Sequence, residues 1–207
     1  MRIRQYTLAG GGALNNATYS ALAAPTVNVA LTLTGAAASI SPGRELTFTS
    51  AADASSVIFT IIGKDTFGGN VITETITGPN ASTVKTRKIY SSITSITPSA
   101  TSASTVSVGN PARVCGNWIN SNPFCATELF PTFRCSTEIV SGAPAGAWEF
   151  THENVTQISG SGAFVDGNVA STPAAAGDSA SVQGAYVRYV VTSAAGSLKA
   201  RFATPTF

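Results

Sequence analysis

The stretch VIFTIIGKDTFGGNVITETITGPN, residues 57–80, limits most tightly what this chain can become. Two runs rich in β-branched residues, 57–62 and 71–77, flank a cluster of Gly63, Asp65, Gly68, Gly69 and Asn70, which predicts a hairpin with a longer than minimal loop. An antiparallel sheet is therefore the expected framework. Val57, Phe59 and Ile61 alternate with Ile58 and Ile62, the pattern of a central strand covered on both faces. Glu74 breaks the pattern, because it shares a face with Ile72 and Ile76. It has to reach solvent, meet a basic partner such as Lys85 or Arg87, or face another subunit.

The same grammar runs through most of the chain. Residues 26–34 alternate Val27, Val29, Leu31 and Leu33 with Asn28, Ala30 and Thr32, as expected of a strand with one buried face. Leu46 and Phe48 mark another strand. Residues 84–90, 93–97 and 105–108 are further short β-branched runs, with Pro98 between the last two. Toward the end, Trp148, Phe150 and His152 alternate with Glu149, Thr151 and Glu153, and Asp166-Gly167-Asn168 is a turn sequence. Residues 186–192 and 198–202 predict a closing hairpin, with Val187, Tyr189 and Val191 on one face of one arm and Leu198, Ala200 and Phe202 on one face of the other.

Short strands at this spacing with almost no helical period predict an all-β, antiparallel β-sandwich or jelly-roll-like fold with very little helix, as one sandwich or two β lobes. The expected organisation is an N-terminal arm (1–24), a β-sandwich lobe (25–110), a connecting segment rich in Cys and aromatics (111–145) and a C-terminal β lobe (146–207). The arm reading rests on a short strand followed by Gly10, Gly11 and Gly12, since glycine runs do not hold an element interior. Arg2 and Arg4 imitate the start of a signal peptide, but LAGGGALNN is too weakly apolar for export.

Charge excludes some roles. Only 11% of the 207 residues are charged and the formal net charge is +2, so nothing points to sequence-specific nucleic acid as a ligand. Residues 1–110 carry seven basic and four acidic side chains and the remainder five and six, so neither half steers a partner. No apolar run approaches the roughly 20 residues of a membrane helix, and no membrane partner is expected. A surface this poor in charge rests on Ser, Thr, Asn and Gly, or lies hidden in an assembly.

No catalytic constellation emerges. His152 is the only histidine, so both a Ser-His-Asp and a Cys-His site would depend on it, and Gly177-Asp178-Ser179 resembles a lipase nucleophile segment without the context that segment needs. Glu149 and Glu153 lie four apart on a strand, about 13 Å by strand rise, which exceeds the glycosidase spacing of about 5–9.5 Å. They read as solvent-facing charges. Asp65 with Asn70, or Asp166 with Asn168, falls short of the carboxylate density of a calcium site. Catalytic, cofactor-binding and metal-binding residues are accordingly assigned to none of the positions.

Cys115, Cys125 and Cys135 are evenly spaced and odd in number. They read first as buried thiols and second as a disulfide within or between subunits; zinc lacks a Cys-x-x-Cys pair. The aromatics of the same region read as a plug between sheets.

The run IGKDTFGGNVITETITGPN, followed by KTRKIYSSITSITPSATSASTVSVGN, resembles a β-rich module of structural proteins of tailed bacteriophages. The matching positions are the strand 57–62, the Gly/Asn loop 63–70, the TET-like strand 72–76, the GPN turn 78–80 and the strand 93–96. YVRYVVTSAAGSLKARF is similar to the closing strands of such proteins. The likeness covers about half of the chain; the Cys-rich middle departs from it. It implies a non-enzymatic virion component, in capsid decoration or cementing or in the head-to-tail connection, which forms homo-oligomers, contacts other virion proteins such as capsid or connector subunits, and assembles in the bacterial host cytoplasm. Strand pairing across subunits would then use Arg2, Ile3, Arg4, Tyr6 and Leu8. The alternative is a carbohydrate-binding module of a tail fibre or adhesin, with Trp118, Trp148 and Tyr186 as glycan-contacting aromatics.

Overall fold

The computed structural model describes residues 2–9, 15–41, 43–66, 69–116, 119–120, 132–151, 167–171, 178–183, 186–192 and 196–204. The fold is all-β and antiparallel, and the described residues include one short 3-10 turn, Gly35–Ala38. None of the described residues forms a helix long and apolar enough to cross a membrane.

The chain divides into two compact units, an N-terminal one built on Ala13–Pro111 and a C-terminal one that joins Met1–Gly12 to the strands after Pro111. The N-terminal unit holds β2 (Asn15–Ala23), β3 (Thr47–Thr49), β4 (Ile58–Lys64), β5 (Val71–Thr77), β6 (Thr83–Lys85), β7 (Ser92–Pro98) and β8 (Val106–Asn110). These strands form two sheets, ordered β2-β8-β3-β6 and β5-β4-β7. One core serves both: Phe48, Val106 and Val108 come from the first, and Phe59, Ile61, Ile76, Ile93 and Ile96 from the second. Phe48 meets Phe59 across the gap with ring centroids 5.2 Å apart.

The expected hairpin is present as β4 and β5, paired from Ile58↔Thr77 to Lys64↔Val71, with β4 central between β5 and β7. Asp65 closes its loop by accepting the Asn70 N–H at 2.9 Å, while the Asn70 amide donates to the other carboxylate oxygen at 3.3 Å. The pairing of β4 with β7 shifts register between Ile62 and Gly63. A Cβ at Gly63 would lie 2.3 Å from the Ser92 carbonyl oxygen, so glycine permits that close approach. Gly109 does the same on β8, where a Cβ would meet the Asn15 carbonyl oxygen at 1.7 Å.

Two expectations for this unit need correcting. β4 is covered on one face only: Phe59 and Ile61 are fully buried, whereas Ile58 on the opposite face is 47% exposed. Being central in a sheet fills a strand's hydrogen bonds without covering both of its faces. Residues 26–34 do not form the predicted strand. The Val29 N–H bonds the Thr26 carbonyl at 3.0 Å, and Asn28 sits at φ +59, a left-handed conformation that Asn tolerates. The turn leaves Val27 and Val29 exposed, while Leu31 is buried and its N–H reaches the Ile96 carbonyl at 2.9 Å.

The C-terminal unit holds β1 (Arg2–Ala9), β9 (Val114–Cys115), β10 (Ile119–Asn120), β11 (Thr132–Ser141), β12 (Gly146–Thr151), β13 (Gly167–Ser171), β14 (Asp178–Gln183), β15 (Tyr186–Val191) and β16 (Ser197–Thr204). One sheet runs β1-β16-β11-β14; the other runs β10-β15-β12-β13, with β9 also on β15. Leu8, Cys135, Leu198, Ala200 and Phe202 from the first sheet share a core with Val114, Trp148, Val187, Tyr189 and Val191 from the second. Trp148 sits at its centre, edge-on to Tyr189 at 4.7 Å and to Phe202 at 4.8 Å.

Here too the structure departs from expectation. β15 and β16 do not form a hairpin; they belong to opposite sheets. Both predicted apolar faces do point into one core, but from the two sides of it. Gly167 and Asn168 are no turn, since they pair with Phe150 and Glu149 as part of β13. The segment assigned as a connector contributes β11, a ten-residue strand central to its sheet, and β14 pairs with it unforeseen. The expected N-terminal arm is divided, β1 going to the C-terminal unit and β2 to the N-terminal one.

Candidate functional site

The residues proposed for subunit contact lie on β1. Arg2, Ile3, Arg4, Tyr6 and Leu8 pair in register with Thr204, Ala203, Phe202, Ala200 and Leu198 of β16 in the same chain. Among the described strands β1 lies at the edge of its sheet, with β16 as its one neighbour. Leu8 is 5% exposed in the core, whereas Gln5 and Thr7 face outward and are exposed. Arg201 ties the outer face together, donating from Nε to Gln5 Oε1 at 2.9 Å and from Nη2 to Glu138.

Glu74 in the N-terminal unit and Glu149 in the C-terminal unit are buried carboxylates on strands, and the first of them is the anomaly the strand pattern marks. Glu74 on β5 is 1% exposed. Its Oε1 accepts the Arg87 backbone N–H at 2.7 Å, and its Oε2 accepts the Lys88 backbone N–H and the Tyr90 hydroxyl, each at 3.1 Å. The expected basic partner thus contributes through its backbone, while Lys88 Nζ donates to the Thr73 carbonyl at 2.8 Å. Burial raises the Glu74 pKa despite these donors and the nearby Lys88 charge. The Tyr90 pKa is raised as well, first by burial and then by the adjacent carboxylate.

Glu149 on β12 is the second, and the expectation that it faces solvent is overturned: it is 8% exposed. It stands directly opposite Arg188 on β15. Arg188 is wholly buried and approaches Oε2 with Nε at 2.8 Å and Nη2 at 2.6 Å, while Arg113 Nη1 meets Oε1 at 2.9 Å. Alternation places Glu149 on the face opposite Trp148, but that face is covered too. Arg188 escaped notice in the sequence, although a lone arginine in YVRYVV demands an acid partner. Glu153 lies outside the described residues.

Cys115 and Cys135 are both buried, and burial pushes the Cys135 pKa up to about 12, far from the thiolate that metal binding or nucleophilic attack requires. Cys125 lies outside the described residues. Of the glycan-contacting candidates, Trp148 is excluded by its position: at 1% exposure between Tyr189 and Phe202 it has no face open to a sugar. Tyr186 is half-buried beside Val187 on β15, and Trp118 lies outside the described residues. Among the described residues no three His, Cys, Asp or Glu side chains gather as metal ligands. The sequence matches no protein-family model, and comparison with curated proteins and with solved structures yields no match.

Proposed function

We propose that this chain is a non-enzymatic structural subunit of a tailed-bacteriophage virion, acting in capsid decoration or cementing or in the head-to-tail connection. One observation carries the reading. The stretches behind the resemblance to phage structural proteins, 57–62, 72–76 and 93–96, fall on β4, β5 and β7, three adjacent strands of one sheet. The stretches that carry the likeness are therefore neighbours in the fold rather than scattered β-branched runs. Buried Glu74 and Glu149 suit the same role, because each is engaged by donors of its own unit that hold strands together. Such a subunit works by adhesion, through apolar burial and strand pairing with its neighbours. Native mass spectrometry of the full chain, with and without reductant, tests it. A defined homo-oligomer is expected; a strict monomer across the accessible concentration range would remove self-assembly from the reading.

A further inference from the structure

The route of the chain singles out β1. Every other strand of the C-terminal unit comes from residues after Pro111, whereas β1 is separated from them by the whole N-terminal unit. Among the described strands it pairs with β16 alone, through eight residue pairs from Arg2↔Thr204 to Ala9↔Ser197, and of its described side chains Leu8 joins the core cluster. The remaining described side chains of the strand, Gln5 and Thr7, stay exposed. An edge strand that departs with its ladder, the Leu8 anchor and the Gln5–Arg201 hydrogen bond leaves a self-defined acceptor: the edge of β16 and the space of Leu8 beside Leu198. The segment that fits this acceptor is β1 itself, and β1 of any copy makes identical contacts there. In sequence, Gly10, Gly11 and Gly12 lie between β1 and β2, and glycine imposes no single backbone path.

We propose that β1 is a donor strand exchanged between copies of this chain, so that in the assembled form residues 2–9 of one copy complete the β1-β16-β11-β14 sheet of another. This rests on the assembly reading and names its partner, a second copy of the same chain. Exchange creates no new interface chemistry at this ladder, so the balance between closed and exchanged forms follows protein concentration and the effective concentration set by the intervening unit.

Cysteines placed at register pairs decide it. Thr7→Cys and Lys199→Cys face each other across the ladder, and Gln5→Cys with Arg201→Cys supplies a second pair. Two full-length chains with different tags, one carrying Thr7→Cys and the other Lys199→Cys, are co-expressed and oxidised, with each single variant and the unsubstituted chain as controls. A reducible disulfide joining the two tags, absent from the controls, is the expected result. Doubly substituted chains that close wholly within themselves, with the mixed singles unlinked, would overturn the exchange, and so would the absence of a disulfide at both pairs. Native mass spectrometry of the same samples separates the two levels. An oligomer with only intrachain disulfides refutes the exchange and leaves the virion reading standing, whereas a monomer removes the exchange together with self-assembly.

Discussion

The two units meet the same problem, a buried glutamate on a strand, in different ways. In the N-terminal unit Glu74 is held by uncharged donors: two backbone N–H groups from a single turn and one hydroxyl. In the C-terminal unit Glu149 is held by charge, between the wholly buried Arg188 and the partly exposed Arg113. Neutral donors solvate the carboxylate and the nearby Lys88 charge offsets it only in part, so burial still raises the pKa of Glu74. Two guanidinium groups compensate the charge and introduce another hazard, since removing the acid leaves a buried cation. The first arrangement tolerates protonation. The second depends on every member being present.

Loss of Glu149 or Arg188 should therefore have the largest effect. Glu149→Ala leaves Arg188 charged and 0% exposed, and breaking a buried pair from one side costs about 3–5 kcal/mol. Denaturant titrations followed by tryptophan fluorescence check this unit selectively, because Trp118 and Trp148 both belong to residues 112–156. A midpoint unchanged from the parent would mean that the face bearing Arg188 is wet enough to hydrate it. The double variant Glu149→Ala with Arg188→Met should recover part of the loss, because it removes the orphaned charge as well.

How far each arrangement could be read in advance follows from where the partners come from. Alternation marked Glu74 as sitting on an apolar face, yet its solvating groups are backbone amides, which every residue carries and no pattern distinguishes. Glu149 read as a surface charge because alternation tells two faces of a strand apart without telling whether the second is covered. The same limit explains β15 and β16: Val187, Tyr189 and Val191 and Leu198, Ala200 and Phe202 were correctly grouped as core faces, but identical patterns serve a hairpin and a pair of opposed sheets. The β4–β5 pair was legible because its turn residues and its two runs are adjacent in sequence. Residues 26–34 misled because the left-handed turn at Asn28 acts through one backbone angle, and the side-chain alternation around it is that of a strand.

The neutral-donor arrangement makes a smaller prediction with a sign in pH. Glu74→Ala strands two N–H groups and the Tyr90 hydroxyl, at about 1–3 kcal/mol for a group left unsatisfied, softened wherever water enters the space. Circular dichroism should register the loss, while tryptophan fluorescence, which reports the other unit, should not. Because the folded pKa of Glu74 lies above its unfolded value, the folded N-terminal unit binds the proton more readily than the unfolded chain. The stabilisation from protonating Glu74 is thus complete below the unfolded pKa and is lost as pH rises through the folded one. Subtracting the stability profile of Glu74→Gln from that of the parent isolates this contribution. A flat difference across the weakly acidic range would show that the amide N–H groups fully balance the cost of burial.

The smallest effect belongs to an ion pair of the C-terminal unit that resembles the Glu149 cluster in composition and differs from it in setting. Arg201 bonds Glu138, but their side chains are 39% and 30% exposed, so water and salt already screen both charges. Arg201→Ala should therefore cost about 0–1 kcal/mol, the range of surface pairs. The contribution should fade in molar salt, unlike that of Arg188. If Arg201→Ala instead matches Glu149→Ala in tryptophan-monitored unfolding, burial is not what separates the two pairs. The weight would then shift to the ladder itself, because Arg201 also bonds Gln5 and so pins β1 onto β16 at the strand proposed to exchange.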